Sequence, residues 1–224
     1  MRNLKMLGLA AIAAAALTAL VGVGSASATT LCEQNVTTGC TKHVAKETTI
    51  DFSAEDSIKL AGPLGIVLDT CTISTTNGPT TSTGSDEAGG VEGANVTGAI
   101  TTLTFEGCSR KTTVTSTGTF KTASGAEDPT FGTLSITHIK GTDNGKVFSS
   151  GATVTIHELP NIVGNPATCA YITNNTELGT LTGSTTTPTF DISATITSET
   201  ENCPSGTWSG HYKYTGTTPF TISD

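Results

Sequence analysis

The sequence predicts an all-β protein: an antiparallel β-sandwich, jelly-roll-like or immunoglobulin-like, of about ten short strands stapled by disulfides. Three observations carry that prediction. Beyond residue 28, short runs alternate apolar and polar residues with a period of two, and no stretch repeats with the 3.6 period of an amphipathic helix. Threonine, β-branched and polar, is abundant and suits the solvent face of a sheet. All six cysteines, Cys32, Cys40, Cys71, Cys108, Cys169 and Cys203, follow an export leader, a context in which an even number of cysteines forms structural disulfides.

The leader is read from three adjoining features. Arg2 and Lys5 form a basic start, residues 7–23 are apolar, and Ala26-Ser27-Ala28 supplies a small-x-small cleavage site. Residues 1–28 are therefore expected to be a cleaved signal peptide, and 29–224 a single β-sandwich domain. The apolar run approaches spanning length, but no basic stop follows it, and no later stretch is apolar enough to span a bilayer.

Residues 29–47 read as a polar segment clipped by Cys32 and Cys40, and 48–52 and 58–61 as brief edge strands. Residues 65–74 are apolar on both parities (Ile66 and Leu68, then Val67 and Ile73), which predicts a strand covered on both faces. A long Gly/Ser/Thr loop is expected over 75–95, containing Asn77-Gly78-Pro79, Asp86, Glu87 and Glu92. Residues 96–106 alternate, with Ala99, Leu103 and Phe105 inward, and 112–120 read as one exposed strand. Leu134, Ile136 and His138 share a face, and Asn144-Gly145 predicts a hairpin turn. Val154 and Ile156 continue inward, followed by the runs 167–173 and 178–183.

The clearest strand is 189–198, with Phe190, Ile192, Ala194 and Ile196 inward. The run 203–215 holds the only tryptophan and two of the three tyrosines, and its parity puts Trp208, Gly210, Tyr212 and Tyr214 on one face. Rings bury large apolar areas, so this strand is expected to anchor the core. Exposed instead, Trp208, Tyr212 and Tyr214 would form a stacking platform for sugars.

Six cysteines allow fifteen pairings, and spacing alone does not choose among them. The expectation adopted is the sequential, non-nested set: Cys32 with Cys40, Cys71 with Cys108, Cys169 with Cys203. Loop-closure entropy assigns the short loop roughly 2.5 kcal/mol and each longer loop about 4 kcal/mol. Zinc is disfavoured because no C-x₂₋₄-C or H-x₃₋₅-H pair occurs.

The leader, the segment Leu31-Cys32 to Cys40, the strand-borne Cys71, Leu103-Thr-Phe-Glu-Gly-Cys108 and Cys203-Pro-Ser-Gly-Thr-Trp-Ser-Gly-His-Tyr-Lys-Tyr together resemble a known type. It is that of the threonine-, glycine- and serine-rich six-cysteine exoproteins secreted by actinobacteria, whose activity is not assigned. The resemblance implies secretion and an all-β body, and it transfers no catalytic residue.

Chemistry-bearing residues are sparse. His157-Glu158 has no second histidine at metalloprotease spacing. Gly206-Thr-Trp-Ser209-Gly210 lacks the spacing of a nucleophile elbow and falls inside a strand. Asp86, Glu87 and Glu92, with Glu127 and Asp128, are the weak calcium candidates, should their loops converge. The formal net charge of −8 argues against nucleic acid and anionic membrane surfaces. The expectation is a secreted, extracellular or cell-surface, non-catalytic structural or binding protein without a cofactor, whose partner is an extracellular polysaccharide or an envelope component. A carbohydrate- or calcium-binding module is the alternative, and a hydrolase with a dispersed site the third reading.

Overall fold

The computed structural model describes residues 29–33, 40–82, 95–122 and 124–223. The expected leader, and Asp86, Glu87 and Glu92, lie outside the described residues. Within them the alternating runs become eighteen strands. Thr30–Cys32 (β1) leads to Thr49–Ala54 (β2), then to Ile58–Ala61 (β3) and Val67–Cys71 (β4), which form a hairpin, and to the long Ile73–Ser82 (β5). Val96–Ala99 (β6) and Thr102–Glu106 (β7) pair with successive parts of β5. Thr112–Thr115 (β8) precedes a small hairpin of Gly118–Lys121 (β9) and Glu127–Thr130 (β10). Thr133–His138 (β11) and Asn144–Ser150 (β12) form the next hairpin, Thr153–Pro160 (β13) and Pro166–Ile172 (β14) another. Thr176–Thr182 (β15), Thr189–Ile196 (β16) and Gly206–Tyr214 (β17) form a meander, and Thr221–Ser223 (β18) pairs with β1.

Eight of these strands close into a barrel. Around its wall the order is β2, β5, β6, β11, β12, β15, β16, β17 and back to β2, every pairing antiparallel. That is also their order along the chain, so the barrel is an up-and-down meander. Three insertions interrupt it: β3 and β4, β7 to β10, and β13 and β14. Closure is possible because β17 is long enough for three neighbours. It pairs with β16 along its length, with β2 near Tyr212 and with β3 near Trp208.

The all-β, disulfide-stapled prediction holds, while the two open sheets of a sandwich give way to this closed barrel. Alternation then defines its interior. Phe52, Val96, Val147, Leu181, Phe190, Tyr212 and Tyr214 fill one half, with Leu31, Val44, Phe220 and Ile222 packed over them. A second cluster occupies the other half, where Leu60, Ala194 and Ile196 meet Ile156, Leu159, Cys169 and Tyr171. The disulfides are Cys32–Cys40, Cys71–Cys108 and Cys169–Cys203, the sequential set.

Several local expectations fail for physical reasons. The run 65–74 is not one doubly covered strand. A turn at Pro63–Gly65 and a break at Thr72 divide it, leaving Ile66, Val67 and Ile73 exposed. The predicted edge strand 48–52 is a stave of the barrel, paired on both sides. Residues 112–120 split into β8 and β9. The hairpin turn expected at Asn144-Gly145 lies just upstream, where Gly141 takes φ +81° and Asn144 already belongs to β12. Residues 75–82 of the expected loop, Asn77-Gly78-Pro79 among them, are strand instead, because β5 crosses the barrel wall there between β2 and its partners β6 and β7. Gly78 permits the crossing: a Cβ on it would lie 1.6 Å from the Ala99 carbonyl oxygen.

Gly78→Ala is therefore expected to push β5 away from the backbone after β6 and to lower stability by about 1–3 kcal/mol, the cost of overpacking. A urea unfolding midpoint unchanged by the substitution would refute that constraint.

Candidate functional site

Period-two alternation places Trp208, Tyr212 and Tyr214 on the inward side of β17. Tyr212 and Tyr214 are 2% and 5% exposed. Tyr214 packs edge-on against Phe52 and Phe220, and Trp208 edge-on against Phe105, with ring centroids 4.8 Å apart. The rings thus line the barrel lumen instead of forming an outward face for a polymer to stack on. The Tyr212 hydroxyl donates to Ser74 Oγ at 2.9 Å, and the Trp208 side chain is a second partner. The Tyr171 hydroxyl donates to the Pro204 carbonyl at 2.9 Å. Burial disfavours both phenolates and pushes each pKa up to about 12.

The histidines occupy separate surroundings. His43 Nδ1 lies 3.1 Å from Thr30 Oγ1 and 3.2 Å from Cys40 Sγ. His138, half-buried at the end of β11, has Nε2 2.6 Å from the Thr142 carbonyl. His157 stands between Thr113 Oγ1 and Thr168 Oγ1, at 3.3 and 3.4 Å. His211 faces outward with a carboxylate at each ring nitrogen: Asp191 at 2.5 Å from Nδ1 and Glu55 at 3.2 Å from Nε2. The hydrogen bond to Asp191 is the main reason its pKa is raised. With a carboxylate at each ring nitrogen, His211 when protonated is a cross-strand clamp rather than a base poised over a hydroxyl.

Two groups of residues have the compactness of a metal site: Cys32, Cys40 and His43, and Asp69, Cys71 and Cys108. In both, the two sulfurs are bonded to each other, so neither offers thiolates. Asp69 has a different task. Its carboxylate is 3% exposed and accepts hydrogen bonds from the Thr70 and Arg110 amides, Ser109 Oγ and Thr112 Oγ1, at 2.7–3.0 Å. It therefore organises the chain that follows Cys108. Of the calcium candidates within the described residues, Glu127 pairs with Lys121 at 3.2 Å, and its neighbour Asp128 is also exposed.

Sequence reasoning missed one surface. The turn at Pro63–Gly65 puts Leu64 at φ +63° and leaves it 99% exposed, followed by Ile66 at 62% and Val67 at 54%. At the turn between β13 and β14, Ile162 and Val163 are 68% and 71% exposed. Both turns project from the same pole. Leu68, just inside the first, packs in one cluster with Leu159 and Ala167, just inside the second. Arg110 ties the two roots together, with Nε donating to the Leu68 carbonyl at 2.8 Å and Nη1 to the Glu158 carbonyl at 2.5 Å. A clue was present in the sequence: two short apolar runs, each adjoining a Gly or Pro turn signal.

Comparison of the chain with protein-family models, curated proteins and solved structures returned no match. No helix of the described residues is long and apolar enough to cross a membrane.

Two titrations are expected to report these environments. Because the folded pKa of His211 is raised, its contribution is fully present below the unfolded value near 6.5 and fades as pH rises through the folded value. His211→Gln should then cost more at pH 6 than at pH 9, by less than ~1 kcal/mol for so exposed a group. Equal losses at both pH values would contradict the clamp. Tyr171 and Tyr212 favour the folded state below pH 10 and lose that contribution between about 10 and 12. Burial raises the pKa of Tyr214 as well, so phenolate absorbance should develop late for all three tyrosines and together with unfolding; a titration near 10 would refute the burial.

Proposed function

We propose that this protein is an exported, non-catalytic binding protein that docks on a lipid surface of the cell envelope through the apolar pole of its barrel. The observation that carries the reading is the pair of turns bearing Leu64, Ile66, Val67, Ile162 and Val163. Isolated exposed aliphatics are ordinary, but five of them gathered on two adjacent protruding turns mark an interaction surface.

The occupant follows from shape and composition. The side chains stand on convex tips and include no aromatic residue or arginine, the types that dominate protein–protein hot spots. Five residues also fall well short of the roughly 20–30 a side in a stable protein interface. Protruding aliphatic turns instead suit shallow insertion among acyl chains, where each large side chain contributes about 1.5–3 kcal/mol. The net charge of −8 favours zwitterionic over anionic headgroups. Three disulfides suit an extracellular setting, and the engagement of His211 by Asp191 and Glu55 supports a binding role over a hydrolytic one.

Co-sedimentation with phosphatidylcholine vesicles tests this. The wild-type protein should pellet with them, and the double variant Leu64→Ser, Ile162→Ser should bind at least tenfold more weakly while unfolding like wild type. Failure of the wild type to bind, or equal binding by the variant, would overturn the reading.

A further inference from the structure

The barrel lumen is incompletely filled. Two partly open voids, of about 60 and about 90 Å³, reach in among the inward side chains. Thr76, Ile100, Leu134 and Phe190 border both, so the two spaces are neighbours separated by a few side chains. An eight-stranded barrel is just wide enough either to be filled by its own side chains or to hold one small molecule. Here small inward residues tip the balance toward vacancy: Ala99 borders the first void, and Ala152 and Ala194 the second. Leu134, Ile192 and Trp208 border these voids and are only half-buried.

The chemistry of the wall selects the guest. Around the larger void, Phe105, Leu178, Phe190, Ile192, Ile196 and Trp208 present hydrocarbon. Most of the polar side chains there are already engaged with one another or with backbone: the Tyr212 hydroxyl with Ser74 Oγ, Ser149 Oγ with Thr173 Oγ1 at 2.9 Å, and the Tyr171 hydroxyl with the Pro204 carbonyl. A buried water requires two to four polar partners, whereas a dry apolar cavity of about 150 Å³ admits a benzene-sized molecule. We infer that the lumen is a binding site for a small, uncharged apolar molecule, on the scale of one aromatic ring or a short branched hydrocarbon. The guest occupies the larger void and, with Leu134 or Phe190 rotated, extends into the smaller one. This site is separate from the apolar turns and does not depend on lipid docking.

The single tryptophan borders the larger void and supplies the readout. Toluene titrated into the purified protein should change Trp208 emission saturably and raise Tm by roughly 5 °C at a hundredfold excess over its Kd. Phenol, similar in size but carrying a hydroxyl that must leave water for a largely hydrocarbon wall, should bind at least tenfold more weakly. Ala152→Leu fills the larger void and should weaken toluene binding at least tenfold. A response that never saturates, or that is unchanged in Ala152→Leu, overturns the proposal. Should that variant fail to fold, a xenon-pressurised crystal of the wild type decides: a xenon atom beside Phe105 and Trp208 supports the site, and an empty lumen refutes it.

Discussion

Pairing of β17 with β2 is the constraint on which the rest depends. Residues 206–214 must return to residues 49–54 across nearly the whole described chain, where Tyr214 meets Phe52 and Tyr212 meets Ala54. Once that seam forms, the eight staves have no free edge among them, and most inward side chains face others across a lumen instead of water. Phe52, Phe190, Tyr212 and Tyr214 sit beside the seam, and their edge-on and tilted contacts supply both burial and orientation. A contact so distant in sequence carries a loop-closure cost larger than that of the local hairpins β11–β12 and β15–β16.

The insertions are what a bare barrel would not need, and each is tied down separately. Cys71–Cys108 joins β4 to the segment after β7, and the Asp69 carboxylate gathers four donors from its own and that same segment. Cys169–Cys203 fastens β14 to the approach of β17. A charge buried as deeply as Asp69 is tolerable only when its oxygens are fully engaged. The backbone amides of Thr70 and Arg110 and the hydroxyls of Ser109 and Thr112 meet that requirement without a counter-ion. These ties hold the β3–β4 and β13–β14 hairpins side by side, so the apolar turns at their ends share one pole.

Much of this was legible locally and little of it globally. Alternation assigned the inward residues of β16 and β17, and the sequential pairing adopted for the cysteines is the one observed. Parity says which side of a strand is buried, however, and not whether the sheet curves into a barrel. Curvature comes from features such as the bulge between Val147 and Phe148 and the tight passage at Gly78, which loop-like composition misreads. The exposed run Ile66–Val67 was misassigned for a related reason: apolarity on both parities implies cover, and a hairpin tip is the case in which none is present. The voids were not legible at all, because they arise from alanines and rings on strands far apart in the chain.

The outer surface and the lumen then divide the chemistry between them. Threonine-rich outer faces and the −8 charge keep most of the exterior hydrated, so the two aliphatic turns stand out among the described residues as a place where water is not the preferred neighbour. Inside, the tyrosine hydroxyls are engaged locally, and the remaining lining is hydrocarbon. Both features follow from sequence positions where a more ordinary residue was available: a polar or glycine tip in place of Leu64, a larger aliphatic in place of Ala152 or Ala194. Stability alone favours those alternatives, since a filled core and a hydrated turn are the lower-energy choices. Two independent departures from the stable solution, one an exposed aliphatic turn pair and the other an unfilled apolar lumen, are what the proposed apolar partners would account for.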